Sequence, residues 1–303
     1  MPFHFNILTT FVVLVLVASS SGCGTVRYGM NQQHAATARA LNYDGLNAFR
    51  KGKLENANRL FAEAARIAPN DARIQENLAT CLLEQGEIDE AIKRLQSALE
   101  TTPDDSRLNL QLGELYLNRG RPDLAENHAK VVIQLNRSSA AAWKLQGQAE
   151  AIQGRHEAAL RSLLRATSLD SQDQRLQYEV ASIFHKLERH SLALATLENL
   201  RRTYPLNAEP DEFLSLEGSV LMSLNRPERT ISRLARFAQT RNAHPDVLYV
   251  LCQAYIATGD HVNAQLTSGL ALDKNPHDPR FAALIRTIPS TIVADVADGS
   301  AAR

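Results

Sequence analysis

Residues 72–105 read ARIQENLATCLLEQGEIDEAIKRLQSALETTPDD, and this stretch decides the fold. Its apolar residues recur at helical spacing in two runs, separated by Gly86 and followed by Pro103. A glycine between two such runs supplies the left-handed backbone that ends the first helix. A proline beyond the second run prevents its continuation. Asp105 then stands where the following helix needs a side-chain oxygen for its free amides. The stretch is thus one unit of two amphipathic helices joined by a tight turn, and one such unit cannot bury its apolar faces alone.

Outward from it, the same pattern recurs. Units begin at 38, 72, 106, 140, 174, 211 and 245, each 34 residues long except for 37 before the sixth. The eighth position carries Gly45, Ala79, Gly113, Gly147, Ala181, Gly218 and Cys252. The twentieth carries Ala57, Ala91, Ala125, Ala159, Ala193, Thr230 and Ala264. Small residues there let two helix axes cross closely. Gly52, Gly120, Gly154 and Gly259 repeat the turn, and Asp71 and Asp173 repeat the cap.

These positions, with Ala64, Ala98, Ala166 and Ala271 at position 27, resemble the tetratricopeptide repeat (TPR) family. The resemblance implies an all-α fold: a right-handed α-solenoid of seven helix-turn-helix repeats over residues 38–278, with a capping helix at Asp278–Ile288 and a disordered tail in the rest of 279–303. The pattern weakens locally. Repeat 3 has Val132 at position 27 and Arg137 in place of the closing proline, and repeat 5 has Glu188 in place of the turn glycine. Repeat 6 has Asn225, Thr230 and Phe237 at three key positions and follows the polar insertion PLNAEPDE. The array is expected to bend there or to divide into blocks of repeats 1–5 and 6–7.

Composition narrows the function. Thirty-three basic and 33 acidic residues cancel, so the chain lacks the basic excess of a nucleic-acid binder. Cys23, Cys81 and Cys252 form neither a disulfide framework nor a CxxC site. Cys81 and Cys252 fall at small, buried repeat positions and read as packing residues. His185 and His190, taken as one helix, point about 140° apart and do not converge on a metal. No nucleophile elbow, HExxH or phosphate loop occurs, and the repeats leave no room for a catalytic domain. The expectation is a non-enzyme without cofactor or small-molecule substrate.

The first 22 residues read as a signal peptide with an apolar core from Ile7 to Ala18, too short to span a bilayer. SSGC, ending at Cys23, resembles a bacterial lipobox, although Ser20 stands where leucine is usual and no Lys or Arg precedes the core. The resemblance implies lipidation of Cys23, with residues 23–37 as anchor and linker, and Gly24 favours the outer membrane of a Gram-negative envelope. Bacterial TPR lipoproteins of this size are similar to pilotins and pilus-assembly components. If the segment is not processed, a cytoplasmic co-chaperone or regulatory adaptor is the alternative.

In the family, the first helices line a groove that holds a partner peptide or protein. Carried onto this chain, that groove comprises Arg39, Asn42, Arg73, Glu76, Arg107, Glu114, Lys144, Gln148, Arg175, Tyr178, Tyr249 and Gln253. Arginine recurs at position 2, with Arg280 at the matching place in the terminal helix, as a ladder suited to carboxylates or backbone carbonyls. The same arginines could instead be solvated and locally paired, Arg73 with Glu76 for example.

Overall fold

The structure is a computed structural model that describes residues 32–205, 208–238, 243–274 and 276–288. Fifteen helices and no strand lie among the described residues. The chain divides into two compact units, Met1–Arg137 and Ser138–Arg303.

The first unit holds α1 (32–50), α2 (Leu54–Ile67), α3 (Ala72–Glu84), α4 (Ile88–Thr101), α5 (Ser106–Asn118) and α6 (Pro122–Leu135). Successive helices pack in pairs from α2 to α6. Helix α1 already includes residues 32–37, so the first repeat's helix takes in six positions that the sequence assigns to the linker. Asp71 and Asp105 cap α3 and α5 as expected, each accepting from two backbone amides. The small positions are small for the stated reason: a Cβ at Gly45 would stand 2.7 Å from Phe61 Cδ1 across the α1–α2 crossing. Phe61, Ile74, Leu78, Leu95, Leu108 and Leu112 form the interior, each contributing about 1.5–3 kcal/mol.

A recurrent clasp was not legible in the small-residue pattern. The position-4 amides of Gln75 and Asn109 donate to the Pro69 and Pro103 carbonyls at 2.8 and 2.9 Å. Gln177 does the same to Ser171 at 2.7 Å in the second unit. Each ties a first helix to the loop that delivers it and satisfies an otherwise unpaired carbonyl.

The second unit holds α7 (Ala140–Ile152), α8 (His156–Leu169), α9 (Gln174–Lys186), α10 (His190–Arg201), α11 (Asp211–Ser223), α12 (Pro227–Ala238), α13 (Pro245–Thr258), α14 (His261–Lys274) and α15 (Pro279–Ile285). The expected division before repeat 6 is not found. One apolar cluster runs from Ala181 and Leu197 through Phe213, Leu214 and Leu234 to Val247 and Leu251. Repeats 5, 6 and 7 therefore share a core, and the boundary falls at Arg137–Ser138, where the third repeat lacks its proline.

The irregular repeat 6 is also held by charge. Glu217, 1% exposed, accepts from Arg201 Nη1 at 2.8 Å and from Arg233 Nη2 at 3.0 Å. Glu209, from the insertion, lies 3.6 Å from Arg233 and 3.7 Å from Arg236. The insertion thus delivers a carboxylate against α12. Cys81 and Cys252 are free and buried, and burial pushes both thiols up. The capping helix occupies Pro279–Ile285, shorter than expected, with Asp278 as its cap. Cys23 and the tail from Pro289 onward lie outside the described residues.

Candidate partner-binding clefts

In the first unit, Arg39 and Asn42 of α1, Asp71 and Arg73 at the start of α3, and Thr101 and Thr102 border a cleft of about 620 Å³. The Asn42 side-chain oxygen accepts from Asn77 at 2.8 Å. Among the described residues no ion pair reaches Arg39 or Arg73. The expected Arg73–Glu76 pair does not form. Glu76 is held instead by Arg107, which reaches across from the next first helix and also lies 3.7 Å from Asp105. The interhelix pair joins position 2 of one first helix to position 5 of the first helix before it, and for Arg73 that place holds the neutral Asn42. Glu114 is exposed and does not border the cleft.

In the second unit the cationic positions are occupied by the chain's own carboxylates. Lys144 Nζ lies 2.8 Å from Asp173. Burial pushes the Asp173 carboxyl up, but Lys144 and the Leu176 and Arg175 amides outweigh it and hold the group below the usual carboxylate value. Gln148 donates to Glu179 at 2.7 Å, and Arg175 Nε lies 3.7 Å from the same oxygen. Burial dominates at Glu179 and pushes its carboxyl up. Arg280 reaches Asp246 at 2.7 Å and Asp278 at 2.7 Å, and its guanidinium lies 5.3 Å from the centre of the Tyr249 ring.

Tyr178 and Tyr249 border a cleft of about 600 Å³ together with Asp211, Glu212, Ser215 and Arg280. Tyr178 also borders an adjoining cleft of about 420 Å³ with Arg175, Glu179 and Tyr204. Burial pushes the Tyr178 phenol up, and Glu212 adds to it. Gln253 is half-buried and borders neither cleft. Asp211 and Glu212 were missed by the sequence reading. The signal was present: Glu212 and Asp246 occupy the second position of repeats 6 and 7, where repeats 1, 2, 3 and 5 carry arginine.

The two histidines correct a second expectation. His185 Nδ1 and His190 Nδ1 are 3.1 Å apart, with ring centres at 5.0 Å. A separation of about 140° holds for a single helix, but α9 ends at Lys186 and α10 begins at His190, so the chain reverses and the rings meet across the turn. Among the described residues no group of three His, Cys, Asp or Glu is placed to hold a metal.

A family model described as tetratricopeptide repeat matches residues 48–109, 82–149 and 221–288. No curated protein matches the sequence significantly. Among solved structures, a tetratricopeptide repeat protein from Parabacteroides merdae ATCC 43184 is similar, at 14% identity and a TM-score of 0.63, over 84% of this chain and 99% of that one. PilF of Pseudomonas aeruginosa is similar at 15% identity and a TM-score of 0.56, over 68% and 93% of the two chains. YrrB, described as a TPR protein with an unusual peptide-binding site, is similar at 19% identity and a TM-score of 0.52, over 62% and 96%. At such identities the likeness is one of fold.

Proposed function

The chain belongs to the tetratricopeptide repeat family, whose fold is a protein–protein interaction scaffold, and from that premise we propose that it is a non-catalytic scaffold, tethered to an extracytoplasmic bacterial membrane through a lipid on Cys23. Its first helices receive an extended segment of a partner protein, and its task is to help assemble a secretion, pilus or other envelope complex. The observation that carries the binding part of this reading is the first-unit cleft, where Arg39 and Arg73 present guanidinium groups that no carboxylate of the chain engages among the described residues. Such donors suit carboxylates and backbone carbonyls. YrrB, of like fold, is described as having a peptide-binding site, which supports the same use of the fold here. The anchor rests on the SSGC sequence and the apolar stretch before it.

Two measurements test the reading. Intact-mass analysis of the protein made in a Gram-negative host is expected to give a chain beginning at a triacylated Cys23, recovered with outer membranes. A soluble chain that retains Met1 would reject the anchor. Cross-linking in membranes, with wild type against Arg39→Glu/Arg73→Glu, is expected to lose partner adducts in the variant without loss of helicity. Equal adduct yields would show that the cleft does not hold the partner.

A further inference from the structure

The second-unit cleft has the opposite sign from the first, and the repeat symmetry of the chain shows what it lacks. In repeat 7, Tyr249 stands at position 5, and the next first helix supplies Arg280 at its second position. That guanidinium lies 5.3 Å from the Tyr249 ring centre and bonds Asp246 at 2.7 Å and Asp278 at 2.7 Å. In repeat 5, Tyr178 stands at the same position 5, but the next first helix supplies Glu212 in place of arginine. The ring and the carboxylates are therefore present at Tyr178, while the guanidinium that borders the same cleft, that of Arg280, is taken up by Asp246 and Asp278. Glu212 and Asp211 have no ion pair among the described residues. Arg175, the nearest arginine on the same helix as Tyr178, faces Glu179 at 3.7 Å.

Asp211 and Glu212 also sit in the first turn of α11, where acidic side chains suit the helix dipole. That local role explains their charge but not the cleft of about 600 Å³ beside them, nor the aromatic ring that forms its wall. A guanidinium or ammonium group beside a tyrosine face and a carboxylate gains from both.

We propose that the cleft between Tyr178, Asp211, Glu212 and Ser215 receives an arginine or lysine side chain of an extended partner segment, in the arrangement that Arg280 adopts at Tyr249. This rests on the reading of the protein as a peptide-binding scaffold and adds the chemical class of one contact. The partner segment is thus basic where it crosses repeats 5 and 6. The serine hydroxyls of Ser215 and Ser219 bond back to their own helix at 2.7 and 2.8 Å and leave the cleft's selectivity to charge and ring.

The test uses the full chain and three eight-residue peptides: GSRSGRSG, GSESGESG and GSQSGQSG. Binding is read by fluorescence anisotropy of labelled peptide and by the aromatic NMR resonances of Tyr178, assigned through Tyr178→Phe. The arginine peptide is expected to bind about tenfold more tightly than the other two and to shift the Tyr178 resonances. Asp211→Asn/Glu212→Gln should abolish that preference, with far-UV circular dichroism unchanged. Equal or tighter binding of the glutamate or glutamine peptide, with Tyr178 shifted, would overturn the basic class while leaving peptide binding intact. Arginine-peptide binding that ignores the double variant would place the contact elsewhere and overturn the assignment. If no peptide shifts Tyr178 while membrane cross-linking still gives partner adducts lost in the Arg39/Arg73 variant, the cleft assignment alone falls. If both fail, the scaffold reading falls with it.

Discussion

Glu188 is the residue whose replacement is expected to stabilise the protein. It sits between α9 and α10 with φ of 59°, in the left-handed conformation that five of the other turns give to glycine, with φ between 68° and 81°. An L side chain in that conformation costs roughly 1–2 kcal/mol. Glycine in turn adds freedom to the unfolded chain worth about 0.5–1 kcal/mol. Glu188 is exposed, and the nearby Arg189 pairs with Glu157 instead, so little is lost by removing the carboxylate. Glu188→Gly should therefore stabilise the second unit by about 0.5–1 kcal/mol, or about 1–4 °C in melting temperature. Glu188→Ala keeps the strain and should be near neutral, and Gly154→Ala should destabilise by about 1 kcal/mol. The assay is urea denaturation followed by fluorescence of Trp143, the only tryptophan. Its ring packs on the same cluster as Phe184 and Leu187, next to the substituted position, so it reports on the right block. If Glu188→Gly matched Glu188→Ala, or if Gly154→Ala were silent, backbone strain would not be the controlling term and the reasoning would fail.

Gly147→Ala should destabilise by about 1–3 kcal/mol, since its Cβ would stand 2.7 Å from Leu163 Cγ and 3.2 Å from the Leu163 backbone nitrogen; the same urea titration reads it. Glu217→Ala should cost roughly 3 kcal/mol in thermal unfolding, because it strips Arg201 and Arg233 of their shared buried carboxylate. Stability should also fall on acidification. Burial holds His128 and His185 below the ordinary imidazole value, with His190 adding to the effect at His185. The unfolded chain then binds more protons, so their contribution is complete above the ordinary value and is lost as the pH drops from about 7 towards 5. Urea midpoints at those two values check it, and His185→Gln should flatten the Trp143-detected change.

The repeat was legible because backbone geometry imposes it on residue type. Gly86 can reach its φ of 81° where other residues strain, and Ala91 at a helix crossing leaves no room for a longer side chain. Asp71 is read from a sequence as a cap because its partners are two residues and three residues away. What was hidden depends on how one helix meets another. Whether Glu76 joins Arg73 or Arg107 is decided by the stacking of α3 on α5, and the meeting of His185 with His190 is decided by where a helix stops. The division after Arg137 was hidden for a related reason. A missing proline is visible, but the continuity of a core through repeat 6 is not, because Leu200 and Phe237 stand at position 27, where the pattern puts alanine, and pack as larger side chains with the shared cluster. Of the clefts, the arginines were legible as positions and not as free or engaged groups.

The turns between the paired helices carry one further consequence. A Cβ built at Gly52, Gly86, Gly120, Gly154 or Gly259 would meet nothing within 4 Å. The loops that reverse the chain thus face open space, while neighbouring residues such as Ala57 and Ala91 are sealed in the interior. These edges are where the polymer can be lengthened without disturbing its interior: an epitope, a fluorophore-bearing loop or a whole guest domain inserted there would ride on the scaffold as cargo. The same freedom makes them the places where natural descendants of this chain could gain new segments without first having to relearn how to fold.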